Sequence, residues 1–188
     1  MARPRSDDRR NAILSAATRV IAAQGLVAST AAIAKEAGVS NGSLFVYFDT
    51  KATLVNELYV ALKTEMGAAV IDGLPVERDA REQILHMWSR WLAWATSVPE
   101  KRRTLAQLDV SDDISAKSHE IVNSAFSGLA DLLERSRVNG PMRDAPLGFV
   151  VTLMSTIANA TVDEMIREPD QAEATGQVAF GAFWRMLA

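Results

Sequence analysis

The chain has 188 residues, 48% of them hydrophobic, with no cysteine and a formal net charge of −3. That is enough apolar material for one larger domain or two small ones, and without thiols there is no disulfide, thiolate metal site or cysteine nucleophile. No apolar run approaches the length of a bilayer span, and MARPRSDDRR at the N-terminus lacks the apolar core of a secretory signal, so a cytoplasmic protein is expected.

Strand patterns are almost absent, and apolar residues recur at three and four throughout, which predicts an all-α fold. The first helix is expected over residues 7–24, capped by Ser6, with Ile13, Leu14, Ala17, Val20 and Ile21 as its buried stripe. The early Asp7 and Asp8 suit the positive end of a helix, and Gly25 stops it. A second helix follows over 30–37 with Ser29 or Thr30 at its cap, and Gly38 supplies a tight exit. Ser40 caps a third over 41–48. Asp49 or Thr50 caps a long fourth over 51–72, which Gly73-Leu74-Pro75 ends. Beyond it the pattern predicts helices over 78–97, 100–109, 114–137, 147–167 and 171–187, the last with Val178, Phe180, Phe183, Trp184 and Leu187 as its apolar set. Domains are expected at 1–50 and 51–188.

The stretch TAAIAKEAGVSNGSLFVYFDTKATL, residues 30–54, carries the most information. Ile33, Ala34 and Ala37 form one apolar face, Leu44, Phe45 and Phe48 another, and Ala37-Gly38-Val39-Ser40 is the hinge between them. Two short helices around a glycine turn form a helix-turn-helix, whose second helix enters the DNA major groove by its N-terminal turn. The residues placed to meet DNA are Ser40, Asn41, Gly42, Ser43, Phe45, Val46 and Tyr47. Asn41 suits an adenine edge and Val46 a thymine methyl, while Gly42 lets the backbone come close. Lys51, the Tyr47 hydroxyl, and Ser29 and Thr30 at a helix start suit phosphate. Leu44 and Phe48 are expected to face inward. The charge distribution agrees: residues 1–51 carry seven basic against four acidic side chains, the remainder 13 against 19. A basic end on an acidic body fits phosphate contact at one end only.

The segment from Arg9 to Leu54 resembles the DNA-binding domain of the TetR/AcrR family of bacterial regulators. The residues that carry the resemblance are Ile33-Ala34, Ala37-Gly38-Val39-Ser40, Leu44-Phe45, Tyr47-Phe48, Lys51 and Leu54. Phe45 departs from the family, where tyrosine is common, and removes a hydroxyl from the groove-facing helix. The resemblance implies a homodimer that sets two recognition helices in successive major grooves of a near-palindromic double-stranded DNA operator. It also implies a C-terminal body with a small-molecule effector pocket and the dimer interface, and a protein that is a repressor rather than an enzyme. No cofactor and no metal are expected.

In the C-terminal body, Met87, Trp88, Trp91 and Trp94 spread over a wide arc of one helix. They either wall a cavity for a flat, greasy ligand or fill the core and interface. Phe126, Met154 and Asn159 are the ligand-facing residues expected opposite them, with Leu129, Leu133 and Ile157 beside them. Thr156 and Asn159 are polar groups within an apolar helix. They meet their copies across a dimer, orient a ligand, or are satisfied by backbone. The small residues Ser155, Ala158 and Ala160 permit close helix approach, so the last two helices are expected to pair with their copies in a four-helix bundle. Asp109, Asp112, Asp113 and His119 match no metal-ligand spacing and read as a solvated acidic loop. Two other classes stay open: a dimeric DNA-binding protein that answers to no effector, and an all-helical enzyme built on Asp109–His119.

Overall fold

The structure, a computed structural model, describes the backbone of residues 3–188 and side chains from Asp7 onward. Every regular element among the described residues is helical. The helices are α1 (Arg3–Gln24), α2 (Thr30–Glu36), α3 (Asn41–Tyr47), α4 (Lys51–Ile71), α5 (Ala80–Ser97), α6 (Pro99–Leu108), α7 (Ala116–Ala125), α8 (Ser127–Ser136), α9 (Leu147–Arg167) and α10 (Ala172–Leu187). A single 3₁₀ turn, Pro169–Gln171, leads into α10.

Two expectations change. The first helix begins at Arg3, with Pro4 in the first turn, where its missing N–H has no helical partner to lose. The expected Ser6 cap falls on a side chain outside the described residues. The helix expected over 114–137 is two helices. Phe126 leaves helical geometry (φ −100°, ψ 10°), and Gly128, a weak helix former, follows in the first turn of α8.

The local punctuation is simple. Gly25 (φ 79°), Gly38 (φ 68°) and Gly73 (φ 70°) take the left-handed conformation at the ends of α1, α2 and α4, which a side chain would strain. Hydroxyls cap α2, α3 and α4. Ser29 accepts from Ala32 N–H (3.1 Å), Ser40 from Ser43 N–H (3.0 Å) and Thr50 from Thr53 N–H (3.0 Å).

The chain separates into two compact units. The first holds residues up to Thr64 together with Val98–Val122, so the boundary expected at residue 50 falls inside it. Its core is Ile13, Ala17, Ile21, Ile33, Leu44, Phe48, Leu54, Leu58 and Leu108, each at most 1% exposed. Burying the isoleucine, leucine and phenylalanine side chains among them stabilises by about 1.5–3 kcal/mol apiece. In this unit α1 packs on α2 and on α6, and α2 on α3.

The second unit holds Glu65–Ser97 and Asn123–Ala188. Here α9 packs along α10, and α5 crosses both. Trp88 stacks on Phe183 (centroids 5.9 Å apart, 8° between planes) and donates its indole N–H to the Gly176 carbonyl at 3.2 Å. A side chain at Gly176 would meet Leu92 at 3.2 Å, so the glycine allows the helices this approach. Val178, expected among the apolar set of the last helix, is 72% exposed. By length and composition α9 is long and apolar enough to cross a membrane, which corrects the expectation that no run is. Thr152, Ser155, Thr156, Asn159 and Asp163 interrupt it, and most of its length is not buried within the chain.

Candidate functional site

The helix-turn-helix sorts its side chains by face. Leu44 and Phe48 are fully buried, and so is Ile33, while Ala34 is 1% exposed. The opposite side of α3 is open: Asn41, Gly42 and Ser43 are exposed, Val46 is 80% exposed, Phe45 40%, and Tyr47 is half-buried. Val46, left 80% in water on a seven-residue helix, buries little of its side chain against the fold. It is available to a partner surface.

The capping serines keep chemistry in reserve. Ser29 and Ser40 each use an oxygen lone pair for the cap, which leaves the hydroxyl proton for another acceptor. The Ser40 and Ser43 hydroxyls lie 2.8 Å apart, so one of the two protons is shared between them. Thr30, at the first position of α2, is half-buried beside its cap. Lys51, expected to contact phosphate, donates its ammonium to the Leu26 carbonyl at 2.6 Å.

Part of the basic excess of this unit is neutralised by neighbouring carboxylates at its surface. Arg10 pairs with Glu57 and lies over the Phe48 ring at 5.1 Å, and Arg19 pairs with Glu36 at 2.7 Å.

Several polar residues that sequence reasoning passed over hold Val98–Val122 in this unit. Asn56 of α4 donates to the Asp113 carbonyl (2.8 Å) and accepts from Ser115 N–H (2.8 Å) and the Ser118 hydroxyl (2.7 Å). One turn on, the Tyr59 hydroxyl lies 3.4 Å from His119 Nδ1. Lys63 then pairs with Asp109 at 2.7 Å. The three recur at three and four along α4, the one signal that could have marked them as a shared polar stripe. Asp109 and His119 are thus each engaged by α4, and no metal-ligand cluster forms among the described residues.

The ligand-facing residues expected in the second unit divide. Trp88 and Met87 are 6% exposed and Trp94 is 8% exposed, with its N–H 3.4 Å from a Glu65 carboxylate oxygen. Trp88 goes to the core, held by Phe183. Trp91, Phe126 and Met154 are half-buried, and the Phe126 ring lies so close to Gly67 that a side chain there would meet it at 3.0 Å. Asn159 donates to the Ser155 carbonyl (2.9 Å) and Thr156 to that of Thr152 (2.8 Å), each one turn back in its own helix.

Comparison with known proteins fits this geometry. Residues 13–58 match the model of the bacterial regulatory proteins of the tetR family. The chain carries a TetR-family DNA-binding domain. A TetR-family transcription regulator from Shewanella sp. PV-4 superimposes with a TM-score of 0.83 at 23% identity, over 94% of this chain and 96% of that one. A TetR-family regulator from Marinobacter aquaeolei VT8 gives 0.82 at 22% identity, over 96% and 97%. The regulator FadR from Bacillus subtilis, in complex with stearoyl-CoA, gives 0.68 at 15% identity, over 95% and 99%. The chain shares the fold of these TetR-family regulators over more than nine-tenths of its length, with the residues that match the family model in its first unit.

Proposed function

We propose that this protein is a ligand-responsive repressor that binds a near-palindromic operator as a homodimer. The observation that carries the reading is the sorting of α3: Leu44 and Phe48 buried, Asn41, Gly42, Ser43, Phe45 and Val46 open to solvent. Asn41 reads an adenine edge and Val46 a thymine methyl. The hydroxyls of Ser29, Thr30, Ser40 and Tyr47 donate to phosphate. With no hydroxyl on Phe45, the operator differs from those read by relatives that carry tyrosine there.

The dimer uses α9 and α10. Beside charged residues such as Asp163 and Arg185, they expose small or apolar ones, Ser155, Thr156, Ala160 and Ile166 on α9 and Val178 and Ala182 on α10, on one pair of packed helices. Two copies of such a pair make a four-helix bundle. Half-sites about 34–36 Å apart follow from a two-fold dimer on successive grooves. The protein acts where its operator is, in the cytoplasm.

The effector is a small apolar molecule taken up in the second unit by Met87, Trp91, Trp94, Phe126, Met154 and Asn159. The stearoyl-CoA seen in the similarly folded Bacillus subtilis FadR supports an acyl or other greasy ligand class. Effector preference for the non-binding state shifts the population away from DNA, with α4 as the covalent connection, since it supplies residues to both units. One observation favours the second reading, a DNA-binding dimer without effector: the Trp88–Phe183 stack fills part of the interior that a ligand would use.

The test is selection of a random duplex pool by the pure protein, repeated with Tyr47→Ala and Asn41→Ala. Recovery of one palindrome, lost by both variants, supports the reading and supplies the operator. Enrichment of nothing, or enrichment indifferent to both changes, refutes it.

A further inference from the structure

Lys51 breaks a local rule. It is the first residue of a 21-residue helix, where the helix dipole is positive and a cation is disfavoured. It is half-buried rather than extended into solvent, and its ammonium lies 2.6 Å from the Leu26 carbonyl. That carbonyl belongs to a tight turn. Gly25 stands at φ 79°, and Ala28 N–H returns to the Gly25 carbonyl at 3.1 Å. The turn ends on Ser29, whose side chain caps α2, and it holds Val27 at 89% exposure. A charged donor on a carbonyl is among the stronger hydrogen bonds, and a partly dry one is stronger still. Lys51 therefore ties the α1–α2 turn to the start of α4, 25 residues away in sequence.

We infer that Lys51 is a positioning residue for DNA binding: its ammonium clamps the Leu26 carbonyl and so fixes the turn that presents Ser29 and Thr30, instead of neutralising a phosphate. This rests on the operator-binding reading above. The two roles differ in their dependence on salt. A lysine that neutralises one phosphate contributes about 0.9 to the slope of log affinity against log salt, and its loss lowers that slope by about this much. A lysine engaged within the protein contributes nothing to the slope. Its removal weakens binding by the same factor at every salt concentration, because the turn now samples other arrangements.

The experiment measures affinity for the selected operator by fluorescence anisotropy across a range of salt, for the wild type, Lys51→Met, Ser29→Ala and the double variant, at temperatures where circular dichroism shows each fully folded. Hydrogen exchange of the Ala28 and Ala32 amides is followed in the free proteins. Lys51→Met is expected to weaken binding about ten-fold with an unchanged slope, to speed exchange at both amides, and to be less than additive with Ser29→Ala, since both act through one turn. Lys51→Gln, neutral and shorter, repeats the measurement if the methionine variant loses helicity. A slope lowered by about 0.9 with unaltered exchange makes Lys51 a phosphate contact and overturns the inference. So does unchanged affinity. Failure of the wild type to bind any duplex refutes the operator-binding reading first, a result the lysine variants do not influence.

Discussion

Thr104 donates its fully buried hydroxyl to the carbonyl of Thr18 at 2.8 Å, joining α6 to α1 across 86 residues of sequence. Thr18 is itself 5% exposed, and its own hydroxyl turns back to Leu14. Gln107 repeats the attachment one turn along, with its amide 3.3 Å from the Ile21 carbonyl. Thr104→Val keeps the shape and removes the donor. The expected loss is about 1 kcal/mol, the net worth of a buried neutral hydrogen bond. For a chain of this size that is a fall in Tm of roughly 2–4 °C. Urea and thermal unfolding read it directly, and an unchanged midpoint would show that the bond has no net value.

That attachment marks what the sequence hid and what it did not. Gly25, Gly38, Ser29, Ser40 and Thr50 obey rules that act over four residues, so the helix-turn-helix and its boundaries were legible before any coordinates. The inward faces of α1 and α3 were legible too, because Ile13, Ile21, Leu44 and Phe48 recur at helical spacing. The break at Phe126 was not: the apolar pattern of 114–137 runs through it, and only Gly128 hints at an interruption. The side on which Trp88 falls was undecidable, since tryptophans three apart sweep an arc that reaches both core and surface. Least legible was the union of Val98–Val122 with the first unit. It depends on Asn56, Thr104 and Lys63 meeting partners far away in sequence; the three-and-four spacing of Asn56, Tyr59 and Lys63 marks a polar stripe on α4 but does not say what it meets.

Arg137 governs the irregular stretch after α8. Its side chain is 8% exposed, forks onto Glu134 at 2.7 and 2.9 Å, and donates to the carbonyls of Met142 (2.6 Å), Arg143 and Ala145. The hydrogen bond from Arg137 also holds the Glu134 carboxyl below the usual carboxylate range. Replacing the guanidinium by the apolar stem of methionine leaves those carbonyls without their shared donor. The stretch is then expected to open more often. Limited trypsin digestion should cut Arg137→Met at Arg143 several-fold faster than the wild type. Equal rates would mean that the turn holds itself.

Tyr59 should titrate late. Burial, together with the nearby Asp109 carboxylate, pushes its phenol up to about 12. An unfolded tyrosine ionises near 10, so the native state holds this proton more tightly than the unfolded one. The stability tied to it is complete below about pH 10 and is lost as pH climbs towards about 12. Absorbance titration of the wild type should show a phenol ionising near 12 that Tyr59→Phe removes. The variant should also lose stability less steeply over that interval. A late phenol persisting in Tyr59→Phe would assign the shift to the wrong residue.

The exposed apolar face of α9 and α10 makes the last prediction. Val178 stands 72% exposed and Ile166 50%, and most of α9 is not buried within one chain. If two copies cover this face, an arginine at 178 must bring an unpaired charge into a drying interface, which is costly. The same arginine on a free surface costs almost nothing. Val178→Arg is therefore expected to leave helicity and the Tm of the isolated chain unchanged while shifting sedimentation from dimer towards monomer. Operator affinity should fall with it, because each half-site is then bound without its neighbour's help. A dimer of undiminished affinity in Val178→Arg would place the interface on another face and remove α10 from the proposed bundle.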